Sequence, residues 1–169
     1  MVLLPLIASK VDVPIIAAGG MIDGASMAAA LALGAEGIQM GTRMVCAAES
    51  PVHENWKQSI IEAAETDTVF LNQHTSPSLR ALRTEKSGDY QFDTERNAML
   101  ELLNQDALYF GGDMEASLAL CGQVAGRIDE VRPVAEIIDD CANGCTETLA
   151  VLADRYVGAT RVASPTSAG

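Results

Sequence analysis

An α/β fold is predicted for this chain by three features. A short apolar run at 13–18 ends in Gly19-Gly20. An alanine-rich helical stretch follows at 24–33. A second short apolar run at 37–40 leads into Gly41-Thr42-Arg43. Two strands joined by one helix within about thirty residues form a βαβ unit.

The elements can be taken in order. Leu3, Leu4, Ile7 and Val11 recur at helical spacing, so residues 2–10 read as the tail of a helix and the chain is expected to begin in mid-element. Residues 13–18 are apolar on both faces, as a buried parallel strand is. Asp23 is the expected N-cap of the helix 24–33, and Gly34 its terminating glycine. Ser50-Pro51 is expected to open a helix reaching Ala64, with Ser at the N-cap and Pro at the first helical position. Thr68 to Leu71 reads as a strand. A basic helical stretch carrying Arg80, Arg83 and Lys86 follows, then a polar helix near 93–104 and a turn at Gly111-Gly112-Asp113. A helix from Met114 to Ala125, ended by Gly126, and a long last helix from Pro133 to about Tyr156 complete the chain, with a loose tail at 158–169.

At 169 residues the chain can bury one domain's core. Eleven Lys and Arg against 23 Asp and Glu give a formal net charge of −12, which argues against binding nucleic acid or an anionic membrane surface. No apolar run reaches the roughly 18 residues of a membrane span. Cys46, Cys121, Cys141 and Cys145 accompany a large apolar core with no secretory signal, so reduced thiols and a cytoplasmic location are expected.

The two strand ends carry the chemistry. In a (β/α)8 barrel the loops after strands 7 and 8 commonly form a phosphate site. Glycine suits such a site, because a phosphate must reach backbone N–H groups that a β-carbon would shield. The intervening helix adds a positive dipole end, and Thr42 adds a hydroxyl donor. The competing reading makes Gly19-Gly20 a tight strand-to-helix turn and gives Gly41 the job of relieving crowding.

Pro14-Ile15-Ile16-Ala17-Ala18-Gly19-Gly20-Met21-Ile22-Asp23-Gly24, Ala29 to Ala35, and Gln39-Met40-Gly41-Thr42-Arg43 together resemble the nitronate monooxygenases, formerly called 2-nitropropane dioxygenases. The pattern is similar to the FMN-dependent enoyl-acyl-carrier-protein reductases and NAD(P)H:quinone reductases. It continues through Glu49-Ser50-Pro51-Val52-His53, Asp67-Thr68-Val69, Gly112-Asp113 and Gly122-Gln123-Val124-Ala125-Gly126. The resemblance implies the C-terminal portion of a (β/α)8 TIM barrel, its last two strands, with a mostly helical cap segment. The expected organisation is a barrel segment at 1–65, a cap at 66–130, a closing helix at 131–157 and the tail. It also implies FMN as cofactor, with Gly19, Gly20, Gly41 and Thr42 on its phosphate and Met40 alongside. A small-molecule substrate is implied, and NAD(P)H for the reductases.

Relatives carry about six further strands upstream, with an N-terminal flavin-binding loop and a histidine assigned as catalytic in many members. Nothing here corresponds to them. The chain is therefore expected to be a fragment, inactive alone, that self-associates or needs the other barrel half. A non-catalytic phosphate-binding or interaction remnant is the reading of a different class.

Several other groups have open readings. His53 reads as a surface or capping residue. His74 is either a loop histidine or part of the flavin-facing cavity. The 122–126 loop either brings an amide near the flavin ring or packs closely on the barrel. Arg80, Arg83 and Lys86 form a solvated helix face or meet a phosphate. Cys141 and Cys145 are expected as small core residues beside Val134, Ile138 and Leu149, with no metal site.

Overall fold

A computed structural model of the chain describes residues 2–158. The α/β class is observed, in two compact units. Of the described residues, the first holds 2–17, 22–38 and 137–158; the second holds 18–21 and 39–136. The expected tail, beyond Gly158, lies outside the described residues.

In the first unit, helix α1 (Leu3–Ala8) is followed by strand β1 (Ile16–Ala18), helix α2 (Gly24–Ala32) and strand β2 (Gly37–Gln39). β1 and β2 pair in a two-stranded sheet whose last residues, Ala18 and Gln39, belong to the second unit. The strand at 13–18 was expected to be buried on both faces. It begins only at Ile16, and of its residues only Ala17 is buried; Val13 and Ile16 are 64% and 59% exposed. The Asp23 cap is as expected: Ser26 N–H donates to Asp23 Oδ1 at 2.7 Å, and Ser26 Oγ accepts from Asp23 N–H at 3.1 Å. Gly34 has φ +99°, and a β-carbon there would lie 2.7 Å from Ala8 Cβ, so both conformation and close approach require glycine.

Helix α7 (Val134–Leu152) continues into a wider π turn at Ala153–Val157. Cys141 and Cys145 are buried as expected, while Ile138 and Leu149, on the same side of the helix, are exposed. The buried row is Ile137, Cys141 and Cys145, a four-residue repeat along one side of the helix. The row faces α2. Cys141 Sγ is 3.9 Å from Met27 Sδ, and a β-carbon on Gly24 would collide with the α7 backbone at Gly144 and Cys145.

The second unit begins its helical part with one turn, α3 (Thr42–Val45), and then α4 (Glu54–Ile61). The expected start at Ser50-Pro51 is corrected. His53 N–H donates to the Tyr109 carbonyl at 2.6 Å, which holds the chain extended there, and His53 Nδ1 caps the helix by accepting from Asn55 N–H at 3.1 Å. α4 buries Trp56 and Ile60, with Trp56 edge-on to Tyr109 at 4.6 Å.

Strand β3 (Thr68–Leu71) forms as expected, but the basic helix after it does not. Leu79–Leu82 is strand β4, antiparallel to β3 with Val69 opposite Ala81 and Leu71 opposite Leu79. Two-residue alternation wins over the three-residue spacing of the cations, because Val69, Leu71, Ala81 and Leu79 all join one apolar cluster with Ala98 and Leu118. Arg80 instead lies over Phe70 at 5.4 Å and donates to Thr68 Oγ1 at 3.0 Å.

Helix α5 (Glu85–Gln91), a 3-10 segment (Ala98–Asn104) and α6 (Gln105–Tyr109) follow. The expected helix from Met114 to Ala125 is also corrected. The β4 edge claims this backbone: Leu82 N–H donates to the Ala119 carbonyl at 2.9 Å and Cys121 N–H to the Arg80 carbonyl at 3.1 Å. Residues 114–116 make a single turn and Gln123–Arg127 a 3-10 segment. The 66–130 segment thus centres on a hairpin and is not mostly helical.

Candidate functional site

The strand ends come together within the second unit. After β1 the chain passes through two successive left-handed residues, Gly19 at φ +90° and Gly20 at φ +78°. A β-carbon would be strained at either position, so these glycines follow from the backbone alone. Gly41 is different. Its φ is −95°, which any residue accepts, and no protein atom lies within 4 Å of where its β-carbon would sit. Neither backbone conformation nor crowding accounts for glycine at 41, which removes the reading in which it relieves a close contact.

What Gly41 faces is a cleft of about 260 Å³. Gly19, Gly20, Gly41 and Thr42 line it, with Ala18, Met21 and Gln39. Met40 is half-buried, and its neighbours Gln39 and Gly41 provide that part of the wall. The wall carries no charged side chain, so its polarity comes from backbone amides, the Thr42 hydroxyl and the Gln39 amide. The N–H groups of Thr42 and Arg43, in the first turn of α3, have no acceptor within their helix.

The second contributor to the wall is the 122–124 segment, through Gly122 and Val124. Gly122 N–H donates to Thr42 Oγ1 at 2.8 Å. Gly122 and Val124 reach the cleft while Gln123 is exposed, and Gly126 packs closely, with its β-carbon position 2.5 Å from Glu65 Cα. The Gly-x-Val-x-Gly pattern was the available signal; that it would close on Thr42, eighty residues earlier, is a tertiary fact.

The other candidates lie elsewhere. Arg43 is buried, and its Nη1 donates to the Glu130 carbonyl at 2.9 Å; burial lowers its pKa, so it anchors the 129–132 segment and does not face the cleft wall. His74 is exposed in the hairpin loop, and His53 is the α4 cap. Arg83 donates to Gln91 at 3.1 Å and Lys86 to Glu101 at 2.7 Å. Burial pushes the Cys46 thiol up to about 11 and the Cys121 thiol up to about 12, so both are inert neutral core groups. Among the described residues no cluster of three or more His, Cys, Asp or Glu could hold a metal, and no helix is long and apolar enough to cross a membrane.

Residues 1–144 match the family model for nitronate monooxygenase. A probable nitronate monooxygenase of Staphylococcus aureus (strain MSSA476) is 31% identical over 148 residues, 83% of this chain and 41% of that protein. Among solved structures, FabK from Thermotoga maritima superposes with a TM-score of 0.82 at 40% identity, over 89% of this chain and 50% of that one. Nitroalkane oxidase from Streptomyces ansochromogenes superposes at 0.71 with 25% identity, over 89% and 44%. The chain spans half or less of the length of these relatives.

Proposed function

Because the chain belongs to the nitronate monooxygenase family, we propose that it supplies the flavin-phosphate cradle of an FMN-dependent oxidoreductase of nitronate monooxygenase type, as the last two strands of a (β/α)8 barrel. One observation carries this reading: Gly41 is glycine with no conformational or packing reason inside the protein, and it faces a neutral, amide-lined cleft. A phosphate oxygen drawn up to the N–H groups there would occupy the space a side chain would fill. Gly19, Gly20, Gly41 and Thr42 would hold the phosphate, with Met40 in the adjoining strand end.

Bound FMN would supply the redox chemistry, accepting electrons from a carbanion-like nitronate and passing them to oxygen. The residues of this chain bind and orient. Left-handed Gly19 and Gly20 turn the backbone so that it can approach an anion, and Thr42 offers a hydroxyl. Their neutrality means that recognition rests on directed donors, which fix the ligand's position more than its charge. A second reading, NAD(P)H-driven reduction of an enoyl thioester or a quinone, is favoured by the higher identity to FabK than to the nitroalkane oxidase.

The barrel reading has a further consequence. Leu3, Val13 and Ile16 expose apolar surface in the first unit, at 71%, 64% and 59%. We propose that further strands of a complete barrel, or a second copy of the chain, cover them.

The test is a fluorescence titration with FMN and with riboflavin, which lacks the phosphate. Gly41→Val should weaken FMN by about tenfold or more, the worth of one charge-assisted hydrogen bond, roughly 1.5–3 kcal/mol, and leave riboflavin unchanged. Equal weakening of both ligands would remove the phosphate assignment. Turnover of propyl-2-nitronate against crotonyl thioester, assayed after joining the chain to an N-terminal barrel half, separates the two reactions.

A further inference from the structure

Thr42 is more than nine-tenths buried and lines the cleft, and its hydroxyl accepts a hydrogen bond from Gly122 N–H at 2.8 Å. A hydroxyl has one proton to donate and two lone pairs to accept with. The proton of Thr42 meets no acceptor among the described residues, while one lone pair is taken by Gly122. Accepting one bond orients the hydroxyl and polarises its O–H, which makes it a better donor in the remaining direction.

We propose that Gly122 is a positioning residue for the anion site: its amide fixes the Thr42 hydroxyl so that the proton points into the cleft, and an anion bound there tightens the Thr42–Gly122 bond in return. This rests on the phosphate reading above and adds to it. The 122–127 turn becomes a reporter of cleft occupancy, because its first amide is tied to the hydroxyl that the ligand engages. Nothing else crowds the contact. A β-carbon on Gly122 would lie 3.5 Å from Thr42 Oγ1 and 3.7 Å from Val124 Cγ2, both ordinary separations.

The experiment follows hydrogen exchange of the Gly122 amide by NMR in the full chain, alone and with FMN or riboflavin, in the parent, Thr42→Ser and Thr42→Val. In the parent, FMN should slow Gly122 exchange by about tenfold, in line with a strengthened charge-assisted bond, and riboflavin should not. Thr42→Ser keeps the oxygen and should behave like the parent. Thr42→Val should speed exchange without ligand, abolish the FMN-dependent slowing and weaken FMN by about tenfold. A purely structural bond would give the faster exchange in Thr42→Val but no phosphate-dependent slowing in the parent. If FMN binds more tightly than riboflavin yet leaves Gly122 exchange unchanged, the coupling is wrong and the phosphate reading stands. If FMN and riboflavin bind equally, the phosphate reading fails and takes the coupling with it. Failure of Thr42→Ser to restore parental behaviour would also overturn the proposal.

Discussion

Two glycines on the same helix contact should respond to alanine with opposite signs. Gly24 opens α2 and lies against α7 at Gly144. A β-carbon on Gly24 would overlap the Gly144 carbonyl carbon and the Cys145 nitrogen, and would sit 2.5 Å from Gly144 Cα. Carbon atoms rest near 3.5 Å or beyond, so α2 and α7 would have to part by more than about 1 Å. Every neighbour in the overlap is backbone, and no side chain can swing away. Parting the helices would also open the Met27–Cys141 contact at 3.9 Å. Overpacking of this kind costs about 1–3 kcal/mol, and Gly24→Ala belongs at the upper end. Gly144→Ala differs, because its β-carbon would stand 3.4 Å from Gly24 Cα and 3.7 Å from Gly24 N, ordinary contact distances. It replaces a mid-helix glycine, which should stabilise by about 0.5–1 kcal/mol. For a chain of this length each kcal/mol moves Tm by about 2–4 °C. Thermal denaturation followed by circular dichroism should show Gly24→Ala lower by several degrees and Gly144→Ala level or higher. Equal losses in the two variants, or no loss in Gly24→Ala, would refute the packing argument.

Other outcomes follow from the same structure. His53→Ala removes the α4 cap and should cost about 1 kcal/mol by urea denaturation, with FMN affinity unchanged, since His53 does not line the cleft. The Cys121 thiol, raised from 9.0 to about 12, ionises more readily in the unfolded chain; stability is therefore unaffected below about pH 9 and falls between pH 9 and 12. The loss should be at most about 1.4 kcal/mol per pH unit for this thiol, and urea midpoints that stay flat from pH 8 to 11 would contradict it. Sedimentation should show concentration-dependent association through the Leu3, Val13 and Ile16 surface, and Ile16→Lys should reduce it; a monomer at all concentrations would oppose the covered-face reading.

The residues that determine local geometry were readable in the sequence. Asp23 and Gly34 bracket α2 because a capping carboxylate and a left-handed glycine act on their own helix, whatever surrounds it. Thr68 to Leu71 declared a strand through its β-branched and aromatic residues. The two glycine loops read from the sequence line one cleft, Gly19 and Gly20 because the backbone there is left-handed. The errors fell where a distant partner overrode a local preference. Ser50-Pro51 has good helix-start chemistry, but the Tyr109 carbonyl takes His53 N–H and delays the helix. Arg80, Arg83 and Lys86 have helical spacing, but β3 offers Leu79 and Ala81 an apolar face and makes a strand. The stretch from Met114 to Ala125 lost its helix to the β4 edge for the same reason. The sequence by itself determined the Asp23 cap, the Gly34 helix end and the glycines of the cleft, since those depend on conformational preferences within a few residues. Only tertiary structure decided that Gly122 donates to Thr42 and that Gly41 faces open space, because a hydrogen bond across eighty residues and the emptiness beside an α-carbon depend on where the rest of the chain packs.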